Sequence, residues 1–214
     1  AERILGVLHI VGAILMYFMY QADNFVAFYP YVLGYMVVYM PTLALVNAVA
    51  FGQMEEPSKE FGKVRVWGTI GWIVAGLMIS YVFSWDSAVA IADGQLRYTF
   101  LLCAVASLLL GVFSFSLPNT PPKAVGQKTG IRELLGLDAL VLLKDKNFLV
   151  FFLSSVLICI PLAFYYQNAN PFLTEIGVEN ATGKMTLGQV SEVLFMLALP
   201  IFLNRFGLKV TLLI

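Results

Sequence analysis

Six long apolar runs, separated by charged or turn-rich connections, constrain this chain more than any motif it contains. They cover residues 4–20, 27–51, 64–83, 98–117, 148–173 and 187–203, and a seventh begins near residue 210. About 30 Å of hydrocarbon crossed at about 1.5 Å per residue takes around 20 residues. Each run is therefore long enough, or nearly so, for one crossing. Interior prolines (Pro41, Pro161, Pro200) and the length of the runs favour helices, since barrel strands would read as alternations of about ten residues. Only 12% of residues are charged, against about 25% in a soluble domain. The expected fold class is an all-α integral membrane protein. The 13 Lys/Arg balance 13 Asp/Glu, so no basic excess points to a nucleic-acid partner. Cys103 and Cys159 lie inside apolar runs without metal or redox spacing and read as small packing residues.

Basic residues set the orientation. Arg3, the 52–65 connection (Lys59, Lys63, Arg65), the 118–147 connection (Lys123, Lys128, Arg132, Lys144, Lys146) and the "NRFGLK" turn (Arg205, Lys209) hold 11 of the 13. The alternate connections hold Arg97 and Lys184. The bias alternates strictly, so the chain is expected to start on the cytoplasmic side and to be back there by Lys209. It opens "AERILGVLHIV" and stops at "LKVTLLI", inside a further apolar run. It is expected to be part of a longer protein. The 118–147 connection begins as a Pro/Gly/Lys-rich linker and continues as "IRELLGLDALVLLKDKN", whose apolar spacing predicts a helix lying along the membrane face. Its "GQKTG" has neither the glycine spacing nor the preceding strand of a phosphate loop.

Three polar constellations interrupt the apolar runs. In "KVRVWGTIGWIVAG", advancing about 100° per residue from Arg65 places Gly76 at about 20°, Thr69 at about 40° and Trp72 at about 340°. One stripe thus carries a guanidinium, a hydroxyl, an indole and small residues, as the wall of a cavity gripping a flat polar ligand would. The alternative is an arginine snorkelling to cytoplasmic headgroups above glycines that allow close packing. In "TLGQVSEVLFMLALP", Gln189 and Glu192 share a side. A carboxylate there is expected to face protein or water, because facing lipid costs several kcal/mol. Such an acid is a candidate to bind and release a proton; the alternative is a structural acid paired with a cation such as Arg65 or one in a span outside this sequence. In "FYYQNANPFL", Tyr166 and Asn170 share a face while Gln167 turns away, pointing to cavity lining or a broken helix, or to an interfacial belt. Tyr35, Tyr39 and Asn47 read mainly as interhelical bonding, and His9 as a packing residue. Asp23, Asp86 and Asp93 read as solvated turns. No Ser-His-Asp order, zinc spacing or paired-acid motif supports an enzyme, and no cofactor or metal is expected.

Together, "RVWGTIGW", "LLGLDALVLLKDKNFLVFFL" and "GQVSEVLFMLALPIFLNRFGLK" resemble the nucleoside:proton symporter family of the major facilitator superfamily, from about Glu2 to Thr211. The resemblance implies a partial version of a fold of 12 spans in two bundles: about six transmembrane helices and the start of a seventh. Residues 1–117 would be part of the N-terminal bundle, 118–147 the cytoplasmic central loop and 148–214 part of the C-terminal bundle. Carried across by motif, the family's binding arginine, threonine and aromatic fall on Arg65, Thr69 and Trp72. Its glutamine and glutamate fall on Gln189 and Glu192. Trp72 departs from the phenylalanine of the family. Where the family offers a glutamine and an asparagine, alignment through "NPFL" gives Ala163 and Tyr166, with Gln167 next to them. The resemblance implies proton-coupled nucleoside uptake across a bacterial inner membrane by a monomer. A nucleoside, protons and lipid would be its partners, and Glu192 its proton-coupling candidate. Rival readings are a facilitator for another polar metabolite such as a sugar, or a membrane scaffold or sensor that moves no solute.

Overall fold

The computed structural model describes residues 1–121, 130, 137–211 and 213. Among them every regular element is helical. The long helices are α1 (Glu2–Gln21), α2 (Phe25–Gln53), α3 (Pro57–Leu77), α5 (Tyr98–Ser114), α6 (Lys146–Glu175) and α7 (Ala181–Thr211), with a short α4 (Ala88–Ala92) before α5. Six stretches are long and apolar enough to cross a membrane: Glu2–Gln21, Phe25–Gln53, Glu60–Val82, Gln95–Ser114, Lys146–Glu175 and Ala181–Thr211. They coincide with the six apolar runs. Their large apolar side chains are widely exposed, as on Val37, Leu109, Val112, Leu157 and Ile201. That suits helices whose outer surface meets lipid rather than water.

Local chemistry explains the boundaries. Asn24 Oδ1 accepts the Ala27 amide at 2.9 Å and starts α2; Asp145 Oδ1 accepts the Phe148 amide at 2.9 Å and starts α6. Pro57 sits in the first turn of α3, where no intrahelical donor is needed. The last turn of α3 widens into a π-turn over Met78–Val82. What continues as α7 to Thr211 is two helical segments meeting at Gly207, whose φ of 72° and ψ of 169° are open essentially to glycine alone. The seventh run therefore starts beyond the "NRFG" turn.

The helices fall into two compact units, residues 1–121 with 179–214, and residues 122–178. In the first, α1 packs against both α2 and α5, and α3 packs against α7. Small residues bring α1 and α5 together: a Cβ at Gly111 would lie 3.0 Å from Gly6 O and 2.8 Å from Ile10 Cγ1. Nothing larger fits. Beside this contact Ser107 Oγ donates to His9 O at 2.9 Å and lies 3.3 Å from His9 Nδ1. Met16, Met19 and Ala104 form a buried cluster flanked by Phe28, Tyr31, Val32, Tyr35 and Phe100. Tyr35 and Tyr39 stack at 5.3 Å on α2.

In the second unit a 3-10 segment, Leu137–Lys144, packs on α6. Residues 131–136 of the expected surface helix, with Lys123, Lys128 and Arg132, lie outside the described residues. The described remainder is 3-10 rather than α-helical. The broken-helix alternative for "FYYQNANPFL" is corrected: α6 runs unbroken to Glu175 through Pro161 and Pro171. Side chains within it bond back to the helix, Asn168 Nδ2 to Phe164 O at 3.0 Å and Thr174 Oγ1 to Asn170 O at 3.1 Å.

Candidate substrate site along the seam between α3 and α7

Two polar stripes predicted from sequence face each other across one seam. On α3 the residues buried toward α7 are Val66, Thr69, Gly76 and, in the π-turn, Ser80. They recur at helical spacing, so one face of α3 is committed to α7 along its length. On α7 the matching face carries Gly183, Thr186, Gln189, Glu192 and Met196.

The seam is not parallel. At the end remote from the basic residues the helices approach closely: a Cβ at Gly76 would lie 2.8 Å from Thr186 Cγ2 and 3.5 Å from Thr182 O, and one at Gly183 2.9 Å from Ser80 Cβ. In the middle a side-chain bond bridges the helices, Thr69 Oγ1 donating to Glu192 Oε1 at 3.3 Å. Toward the basic end they part around a cavity of about 360 Å³, lined on one side by Phe61, Lys63 and Arg65 and on the other by Met196, Pro200 and Leu203. The result is a wedge. Its vertex is the Thr69–Glu192 bond, and its mouth lies at the Lys/Arg-rich end.

Arg65 belongs to the wall of that wedge. Its Nη1 lies 3.0 Å from where a Cβ on Gly68 would be. The guanidinium thus lies along α3, over the space that the missing side chain of Gly68 leaves. Among the described residues no ion pair joins Glu192 to Arg65. Glu192 is instead an exposed carboxylate held by one hydroxyl. Gln189 lies one turn from Glu192, and its Oε1 is buried without a hydrogen-bond partner among the described residues. That acceptor is available to a donor on a ligand. Trp72 flanks the seam with its indole 56% exposed, a large flat surface beside the polar vertex.

The structure therefore brings Arg65, Thr69, Gln189 and Glu192 to one seam, with Trp72 at its margin. Tyr166 and Gln167 are exposed on α6, in the other unit. One reading from sequence is wrong. Asp86 is not a solvated turn residue but 5% exposed, because Ser80 Oγ donates to its Oδ2 at 2.5 Å and the Thr182 amide donates to the same oxygen at 3.1 Å. Asp86 and Thr182 are 96 residues apart in sequence, so no local pattern marks the contact. The small residues Gly76, Ser80 and Gly183 are the only local sign of close approach.

Six membrane-length helices define a multi-pass α-helical membrane protein. Over 97% of its length the chain superposes on a crystal structure of nucleoside transporter NupG, with a TM-score of 0.69 and 29% identity, covering 53% of that chain. A mutant form of the same transporter gives a TM-score of 0.75 at 28% identity, with 96% and 52% covered. In sequence it is 51% identical over 215 residues to the putative nucleoside transporter YegT of Escherichia coli (strain K12), 100% of this chain and 50% of that protein. It is 31% identical to the xanthosine permease of the same organism, over 100% of this chain and 52% of that protein. Residues 1–214 match the family described as Nucleoside H+ symporter. The chain belongs to the nucleoside H+ symporter family, a family of transporters rather than enzymes, and spans about half the length of the curated relatives it matches.

Proposed function

We propose that the protein carrying this chain imports nucleosides together with protons across a bacterial cytoplasmic membrane, as a monomer, by alternating access at the seam between α3 and α7. The observation that carries this reading is the vertex. A hydroxyl on one helix meets a carboxylate on the other, between a close helix contact at one end of the seam and a cavity at the other. In this reading residues 1–117 contribute to one bundle and 148–214 to the other, joined by 118–147, and the seam is where the bundles open and close. Trp72 stacks on the base. Arg65, Thr69 and Gln189 bond the base edge and the sugar. A site built to bond such groups rejects ligands lacking them, since its own buried acceptors would be left unpaired. Glu192, an exposed carboxylate beside Thr69, exchanges the coupled proton. Proton and nucleoside are coupled because both bind at the vertex and both favour the same arrangement of the seam.

The test is uptake by the full-length protein in proteoliposomes under an inward proton gradient. Labelled uridine or adenosine is expected to accumulate above its outside concentration, and Glu192→Gln to equilibrate it without accumulating it. Accumulation of a sugar with no movement of any nucleoside would overturn the substrate. Wild-type accumulation in Glu192→Gln would remove that residue as the proton carrier.

A further inference from the structure

At the end of the seam remote from the cavity, α7 begins without a cap of its own. Its first intrahelical bond is Lys184 N to Asn180 O, which leaves the amides of Thr182 and Gly183 among the orphan donors of a helix start. Both are satisfied from the other side of the seam. The Gly183 amide donates to Ser80 Oγ at 2.6 Å, Ser80 Oγ donates to Asp86 Oδ2 at 2.5 Å, and the Thr182 amide donates to the same carboxylate oxygen at 3.1 Å. Ser80 and Asp86 are 1% and 5% exposed. A carboxylate over the positive end of a long helix is in the place where that charge is most favourable. Ser80 lies in the π-turn of α3. Such turns lengthen the backbone bonds of a helix and recur at functional positions.

We infer that Asp86 and Ser80 are positioning residues that clasp the start of α7 onto α3, and that the clasp must release for the site to open toward the side opposite the present cavity. The inference rests on the alternating-access reading and adds to it the residues that close the far side. The seam cannot be closed at both ends and also exchange ligand. Here the far end is closed by close helix contact and buried bonds, while the near end is parted. Asp86 binds no ligand. It sets the balance between the two arrangements because its bonds to α7 exist only while the far end is shut. Asp86 Oδ1 is buried and without a partner among the described residues, so Oδ2 makes the carboxylate's share of the attachment, beside the bond from the Gly183 amide to Ser80.

The experiment uses the full-length protein with its own cysteines replaced, in inside-out and right-side-out vesicles. One reporter is Ile73→Cys, on α3 between Thr69 and Gly76; the other is Met196→Cys, in the wall of the present cavity. A membrane-impermeant maleimide is applied from each side. Asp86→Ala is expected to raise labelling of the Ile73→Cys reporter from the far side by about tenfold or more, the effect of losing bonds to a charged group. The same change is expected to lower labelling of the Met196→Cys reporter from the near side. Ser80→Ala, smaller and milder, should move both rates in the same directions by less, and serves if Asp86→Ala does not fold. A rise at both reporters would mean general loosening and would overturn the assignment, as would no change at either. In the parent, saturating uridine should shift both rates. If it shifts neither, the alternating-access reading fails; if it does and Asp86→Ala does not, only the clasp fails.

Discussion

Gly183→Ala tests how tightly the far end of the seam is closed. An added Cβ would stand 2.9 Å from Ser80 Cβ, 3.0 Å from Ser80 Oγ and 2.5 Å from Tyr81 Cε2. The tyrosine ring is 56% exposed and swings away at little cost. Ser80 is 1% exposed and held by two bonds, so relief there must come from the helices. Carbon atoms rest at about 3.5–4.0 Å, so the backbones must part by about 0.6 Å or more. That stretches the 2.6 Å bond from the Gly183 amide to Ser80 to about 3.2 Å, the edge of the useful range. Overpacking costs about 1–3 kcal/mol and the weakened bond up to about 1 kcal/mol. Replacing a helical glycine by alanine returns about 0.5–1 kcal/mol. The net is about 2 kcal/mol against the closed arrangement, or a factor of about 30 in its population. The assay is thermal melting of the purified full-length protein, alongside far-side labelling of the Ile73→Cys reporter. A drop of a few degrees, roughly as for a soluble domain of this size, should accompany faster labelling. Unchanged melting and unchanged labelling together would refute the claim that close helix contact, rather than loose side-chain packing, shuts this end.

Two further outcomes follow from the same geometry. Thr69→Val keeps the shape of a residue only 5% exposed and deletes its 3.3 Å bond to Glu192. Because that bond is long and its acceptor exposed, the expected loss is about 1 kcal/mol of fold stability, read as a lower melting temperature of the full-length protein; unchanged melting would mean that the bond contributes nothing. Gly207→Ala forces a Cβ onto a φ of 72° with ψ of 169° while meeting no atom within 4 Å. Backbone strain alone should then cost about 1–3 kcal/mol, seen as a lower melting temperature, and an undiminished one would mean the turn relaxes freely.

The spans were legible because a membrane helix is announced by its own length and apolar content, with no information needed from elsewhere in the chain. That Thr69 and Glu192 turn toward protein rather than lipid was legible too. Polar groups in apolar runs are costly enough that helical spacing alone says which share a face. The wedge was not legible, since it depends on Gly76 meeting Thr186 and Phe61 standing off from Leu203, contacts between distant segments. Asp86 looked solvated because a short loop rich in serine and tryptophan reads as surface when its partner at Thr182 is unseen. The run through Pro171 looked broken because amides and a proline usually end a helix. In α6 the Asn168 and Thr174 side chains bond carbonyls of their own helix instead.

The wedge also has a mechanical side. Gly183 and Thr186 hold α7 at its first turns, about 4.5 Å apart along the axis, whereas Leu203 lies about 26 Å beyond Thr186 at 1.5 Å per residue. Taken as a rigid rod pivoting near Thr186, α7 has a leverage of about six to one. Lifting Gly183 from Ser80 by about 0.5 Å, less than the size of an atom, sweeps the mouth of the cavity at Leu203 through about 3 Å. A change too small to see at the far end is thus enough to close the near one.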